Sequence, residues 1–81
     1  MEYLNLIFLK NSMLLSNKKY NHWREIQDEF EDYKASVNFK SLEDVVEYIS
    51  FDYKKTKSFT EELVEPIKYI KNSFITLEFE W

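Results

Sequence analysis

The constraint that most limits this chain is a wealth of aromatic residues combined with the complete absence of glycine and cysteine. Seven Phe, six Tyr and two Trp lie among its 81 residues, and each buried aromatic side chain removes on the order of 150–250 Å² from water. Without cysteine there are no disulfides and no thiolate metal ligands, so hydrophobic burial has to hold the fold together. The composition predicts one small folded domain, residues 1–81, with an aromatic core.

Charge and hydropathy exclude several classes of function. Both common phosphate-binding loops need glycines, and a net charge of −4 opposes contact with phosphate backbones or anionic membranes. The longest apolar run, residues 6–9 resumed at 13–15, is too short to span a bilayer, and it lacks the basic start and cleavage site of a signal peptide. We therefore expect a cytoplasmic protein with no direct nucleic-acid or membrane contact.

Two segments at the ends of the chain have the pattern of β-strands. Residues 3–9 are nearly all apolar, as in a strand that is central in its sheet. Residues 75–81 alternate strictly between apolar and polar side chains, as in a strand with one buried face. We expect these strands to pair, and because two strands are marginal alone, a third is predicted from residues 37–39 or 51–53, or else an open edge pairs with a second copy.

Two segments between them carry the three- and four-residue spacing of amphipathic helices. The first covers residues 20–33, and either Ser16 or Asn17 is a candidate cap for its N-terminus. The second begins at Ser41, whose side chain is placed to form a capping box with Asp44. Both helices are predicted to bury one apolar stripe against the sheet.

A third helix is predicted to begin at a second capping box, formed by Ser58 and Glu61. It contains Pro66, which lacks a backbone N–H and clashes one turn back, so the segment should kink there or restart with Pro66 in its first turn. Residues 51–57 ahead of it form either a short strand and turn or a basic loop. The pattern predicts an α+β fold, in which a short antiparallel sheet including the N- and C-terminal strands packs against two or three helices on one face.

The first helix carries the most distinctive set of charges. Four of its carboxylates recur at i, i+3, i+4 and i+7 and so should share one face: Glu25, Asp28, Glu29 and Asp32. Glu31 widens that face. Like-charged pairs at i, i+4 cost about 0.2–0.5 kcal/mol each, and no lysine of the helix is placed to relieve them. A functional acidic face is one hypothesis, and an ordinary solvated face is the other.

The second helix adds Glu43, Asp44 and Glu47. The first two lie in the opening turn, where carboxylates stabilise a helix in any case. If these carboxylates and those of the first helix lie on one side of the domain, they form a surface suited to a basic nucleic-acid channel in another protein.

Other candidate chemistry is weak. His22 has no nucleophile arranged around it and is expected at the surface where the first helix starts. The acidic clusters lack the glycine-bearing loop of a calcium site. Lys54, Lys55 and Lys57 form a solvated loop, a phosphate contact or a contact with the acidic face of a second copy. Trp81 is expected in the core or at a dimer contact. No catalytic residue, metal or cofactor is predicted, and an enzyme is disfavoured.

The remaining class of function is binding to another protein. The preferred hypothesis is a small inhibitor of a nucleic-acid-handling enzyme, whose Lys and Arg side chains would meet the carboxylates of the first helix. In size and charge, though in no motif, the chain is similar to small acidic phage proteins of the anti-CRISPR or other anti-defence kind. The alternatives are an immunity protein or antitoxin that neutralises a basic toxin, and a structural or regulatory module that self-associates as a homodimer.

Overall fold

The computed structural model describes residues 4–79, which form an antiparallel sheet of four strands in the order β3-β1-β2-β4. The strands are β1 (Leu4–Leu9), β2 (Met13–Ser16), β3 (Tyr33–Phe39) and β4 (Phe74–Leu77). β1 and β2 form a central hairpin, which Leu9 closes by donating its N–H to the Ser12 carbonyl at 2.9 Å. The predicted α+β fold, with the first and last strands in one antiparallel sheet, is confirmed.

The two terminal strands do not pair with each other, so that expectation is wrong. β2 lies between them: Leu15 is opposite Leu6 of β1 on one side and opposite Ile75 of β4 on the other. The apolar run 13–15 is the pattern of a short strand buried on both faces, which length alone does not distinguish from a fragment of a longer element. The predicted strand at residues 37–39 is confirmed as part of the longer β3.

The helices are α1 (Trp23–Glu29), α2 (Leu42–Asp52) and α3 (Lys57–Val64), and a 3₁₀ helix (Glu65–Tyr69) follows α3 directly. The predicted cap of α2 is confirmed, since the Asp44 N–H donates to the Ser41 hydroxyl at 3.2 Å. The restart at Pro66 is also confirmed, because this proline lies in the first turn of the 3₁₀ helix, where no N–H donor is needed.

The segment between α2 and α3 matches the basic-loop alternative in part, because residues 53–56 form a turn and loop that carries Lys54 and Lys55. Phe51 and Asp52 continue α2, and Lys54 just beyond the helix end takes a left-handed backbone conformation, φ 53°. Thr56 caps α3 by accepting the Phe59 N–H at 3.1 Å, so the capping box predicted at Ser58 is wrong. Threonine and serine are both favourable N-caps, and Thr56, in an extended conformation just ahead of the helix, takes the position predicted for Ser58.

Helices pack on both faces of the sheet, which corrects the expectation that they cover one face. Ile26 of α1 packs on one face against Ile7, Leu9 and Leu14. α2, α3 and the 3₁₀ helix pack on the other face, the main core, which consists of Leu4, Leu6, Met13, Leu15, Val45, Val46, Ile49, Val64, Ile67 and Leu77. The consecutive apolar residues of β1 and β2 require this arrangement, because successive side chains of a strand point to opposite faces.

The buried core is aliphatic, and the expected aromatic core is not found in the described residues. All aromatic side chains of residues 4–79 are half-buried or exposed. Several form edge-to-face pairs at the rim of the main core, such as Tyr53 with Phe79 at 5.7 Å between ring centroids. The proposed contacts of Trp81 lie outside the described residues.

Candidate functional site

α1 begins later than its sequence pattern predicts. Its N-cap is His22, whose Nδ1 accepts the Arg24 N–H at 3.2 Å, so the expected surface position of His22 at the helix start is confirmed. The predicted N-caps Ser16 and Asn17 are wrong, because both residues lie before the helix and make contacts elsewhere in the fold. Ser16 is buried in β2, and the Asn17 side chain donates to the Ile70 carbonyl at 2.6 Å.

α1 also ends earlier, at Glu29, so Glu31 and Asp32 lie in the turn that leads to β3. Phe30 and Tyr33 continue the apolar spacing, but they lie outside the helix. They pack against the small core that Ile26 forms with Ile7, Leu9 and Leu14. Only Glu25, Asp28 and Glu29 therefore share the helical spacing that the sequence predicts for four carboxylates. We refer to these three residues together with Glu31 and Asp32 as the α1 acidic cluster.

Two members of this cluster are engaged within the protein. The Glu25 carboxylate accepts the Asn21 N–H at 2.8 Å, ahead of the helix. The Glu29 carboxylate forms an ion pair with Lys18 and accepts the Tyr20 hydroxyl at 2.6 Å. No lysine of the helix relieves the cluster, as expected, but Lys18 pairs with Glu29 from the loop before the helix.

The surroundings of Glu29 alter two pKa values. Burial by itself raises the pKa of the Glu29 carboxyl, but the hydrogen bonds from Lys18 and Tyr20 and the Lys18 charge outweigh it and leave the pKa lowered. Burial, and then the hydrogen bond to Glu29 and its charge, raise the pKa of the Tyr20 hydroxyl. These contacts stabilise Glu29 in its charged form and Tyr20 in its neutral form.

The remaining carboxylates of the cluster face solvent. Asp28, Glu31 and Asp32 are exposed, and between residues 4 and 79 none of them has a hydrogen bond or an ion pair through its side chain. Their backbone is nevertheless well held, since the Tyr33 N–H donates to Phe30 at 3.2 Å and the Lys10 N–H donates to Asp32 at 3.1 Å. These hydrogen bonds hold the backbone of the turn that carries Glu31 and Asp32.

The second predicted group, Glu43 and Glu47, is exposed on α2. α2 packs on the main-core face of the sheet and α1 packs on the opposite face. The expectation that the two groups line up on one side of the domain is therefore wrong. A flat partner surface contacts one group or the other.

α2 also carries a feature that the sequence pattern did not single out, the exposed side chain of Phe51. It borders an open cleft of about 690 Å³ whose lining consists of Asp44, Glu47, Tyr48, Ser50, Phe51, Asp52 and Lys57. Burial, followed by the Asp52 charge, raises the pKa of the Tyr48 hydroxyl in this lining. Extending the α2 spacing two residues past Ile49 would have placed Phe51 opposite the buried stripe.

Residues 4–79 contain no group of three or more His, Cys, Asp or Glu side chains placed to hold a metal ion. None of the helices in this range has the length and apolar character needed to cross a membrane.

No family model, curated protein or solved structure matches the chain. Exposed carboxylates and the exposed Phe51 ring are available for contact with a partner.

Proposed function

We propose that this protein is a cytoplasmic inhibitor that binds a basic protein surface through the α1 acidic cluster. The target class is a nucleic-acid-handling enzyme, and if the gene is phage-encoded the site of action is the host cytoplasm, as for an anti-CRISPR or other anti-defence protein. The observation that supports this proposal best is the exposure of Asp28, Glu31 and Asp32, which have no cationic partner among residues 4–79.

Two physical arguments support a basic protein as the partner. Opposite charges steer two proteins together and determine their relative orientation, and the effect is greatest when the charges are concentrated on one surface. The backbone hydrogen bonds of the turn at residues 30–33 reduce the conformational entropy that binding would otherwise cost. A surface that binds phosphates is lined with Lys and Arg, and carboxylates that occupy it exclude the nucleic acid.

The test uses a variant in which the three free carboxylates are neutralised: Asp28→Asn, Glu31→Gln and Asp32→Asn. A matched control neutralises three exposed carboxylates elsewhere, Glu62→Gln, Glu65→Gln and Glu78→Gln, and changes the net charge by the same amount. Partners are captured from a lysate of the organism or host with the wild-type protein, and the purified partner's activity on nucleic acid is then assayed with each protein.

Inhibition by the wild type and the control, with an affinity on the order of tenfold weaker for the variant at low salt, is the expected result. Equal inhibition by all three proteins, or a partner with no nucleic-acid activity, would contradict the proposal. An immunity protein or antitoxin uses the same contacts, and it would be recognised by a partner that is itself toxic to the cell.

The length of β3 favours a second candidate function, a module that self-associates. β3 is an edge strand of seven residues, and among the described strands it pairs on one side only. An open edge is a template for pairing with another chain. Sedimentation that is independent of protein concentration, and unchanged by Ser36→Pro in β3, would exclude this candidate.

A further inference from the structure

Phe51 is the most exposed large hydrophobic side chain in residues 4–79, with 85% of its surface accessible. It lies on the solvent side of α2, because the buried side chains of that helix, Val45, Val46 and Ile49, face the sheet. The ring takes part in neither hydrophobic core. The fold therefore does not account for a phenyl ring at this position.

The ring borders an open cleft of about 690 Å³ whose rim is mainly acidic. Asp44, Glu47 and Asp52 line it, and Lys57 is its one cationic lining residue. Within the described part of the chain the three carboxylates have no ion pair. An apolar anchor surrounded by charged groups is the usual organisation of a protein-binding surface, in which an aromatic centre contributes most of the affinity and the rim sets the specificity.

The charges of the rim identify the chemistry of the occupant. A purely apolar segment would remove water from three carboxylates without giving them a partner, which costs free energy. A segment with Lys or Arg on either side of an apolar side chain would cover Phe51 and meet the carboxylates together. We infer that the solvent face of α2 docks a basic amphipathic protein segment of this kind, with Phe51 as its apolar anchor.

This docking surface is separate from the α1 acidic cluster, because the two helices lie on opposite faces of the sheet. The inference thus goes beyond the proposed function, and either one can fail while the other holds. If both hold, the domain engages basic surfaces on two sides at once.

The probe is a short synthetic helix-forming peptide with leucines on one face and lysines flanking them. There are two control peptides. One has serine in place of each leucine, and the other has glutamate in place of each lysine. Each is titrated into the ¹⁵N-labelled full chain, and the amide shifts are followed by NMR. The expected result is that only the leucine and lysine peptide binds, and that the shifts cluster around Glu47, Phe51 and Lys57.

Variants then test the anchor and the rim. Phe51→Ser and Glu47→Lys should each weaken binding by about tenfold or more, as is usual for an interface hot spot. Tyr69→Ser is the matched control, since Tyr69 is 78% exposed on the 3₁₀ helix, and it should leave the affinity unchanged within about twofold.

Four results would overturn the inference: no binding of the leucine and lysine peptide, shifts confined to α1, equal binding of the glutamate peptide, or equal losses for Phe51→Ser and Tyr69→Ser. A fifth would replace the occupant. If the wild type sediments as a dimer, Phe51→Ser dissociates it and the peptide does not compete, the surface binds a second copy of the chain. All of these substitutions are at exposed positions, so each variant is expected to remain folded.

Discussion

At the scale of single residues, Glu29 combines a structural contact with a place in the proposed binding surface. Its ion pair with Lys18 and hydrogen bond from Tyr20 connect the end of α1 to the loop before it. The lysine that relieves Glu29 lies eleven positions away in sequence, so a search for helical i, i+4 partners does not find it. The identity of the acidic residues could be predicted from the sequence, but their internal partners could not.

The lowered pKa of Glu29 makes part of the stability depend on pH. Because the native pKa lies below that of an unfolded glutamate, about 4.3, the stabilisation is complete above that value and is lost as the pH falls through the native pKa. We expect Glu29→Gln to lower the free energy of unfolding at pH 7 by about 0.2–1 kcal/mol. Urea unfolding of both proteins from pH 7 to pH 3 measures this difference.

The difference should narrow as the pH falls, because the wild-type carboxyl becomes protonated and then resembles the glutamine. Glu62→Gln, at an exposed position of α3, provides the control and should follow the wild type at every pH. A gap between Glu29→Gln and the wild type that stays constant down to pH 3 would contradict the assignment of the pKa shift.

The cap of α1 gives a second expectation at this scale. His22 is an uncommon N-cap, and aspartate is among the residues preferred at this position. We expect His22→Asp to stabilise the protein and His22→Ala to destabilise it, each by about 0.5–1 kcal/mol. Urea unfolding at pH 7 tests both. Destabilisation of similar size by both variants would show that the imidazole contributes through packing rather than through the cap.

At the scale of the elements, local signals predicted α2 well and α1 poorly. The Ser41 cap and the buried stripe of α2 are contained in one stretch of chain, so the sequence suffices for them. The apolar spacing of α1 continues through Phe30 and Tyr33, which contact the same small core from a turn and from a strand. Periodicity records which side chains are buried, and it does not record whether the backbone between them remains helical.

α1 is attached to the sheet mainly through Ile26, which is its one buried residue. Truncation to alanine removes most of this contact and leaves a cavity beside Leu14, so Ile26→Ala should cost about 2–4 kcal/mol. Hydrogen exchange should then show amides of α1 exchanging faster, with α2 still protected on the opposite face. Ile26→Val is the matched control, with an expected cost of about 0.5–1.5 kcal/mol. Equal loss of protection in α1 and α2 would contradict separate attachment of the two layers.

At the scale of the whole molecule, the decisive fact is that the central hairpin is buried on both faces. The consecutive apolar residues of β1 and β2 indicate this burial in the sequence. It can be predicted for the whole sheet only when residues 13–16 are recognised as a second central strand. Once helices occupy both faces, the acidic residues of α1 and α2 are necessarily on opposite sides. The sequence therefore predicted which residues are candidates for binding, and the placement of the helices on both faces determines which of them lie on the same side.

We propose that the free carboxylates of the α1 acidic cluster drive association with a basic partner. The measurement is the rate at which the captured partner associates with each of three proteins, at low and at high salt. The first is the wild type, and the second is the variant with Asp28→Asn, Glu31→Gln and Asp32→Asn. The third is the control with Glu62→Gln, Glu65→Gln and Glu78→Gln. We expect the wild type and the control to associate fast at low salt and more slowly at high salt, and the variant to be slow in both. Equal rates and equal salt dependence for the variant and the control would contradict the claim.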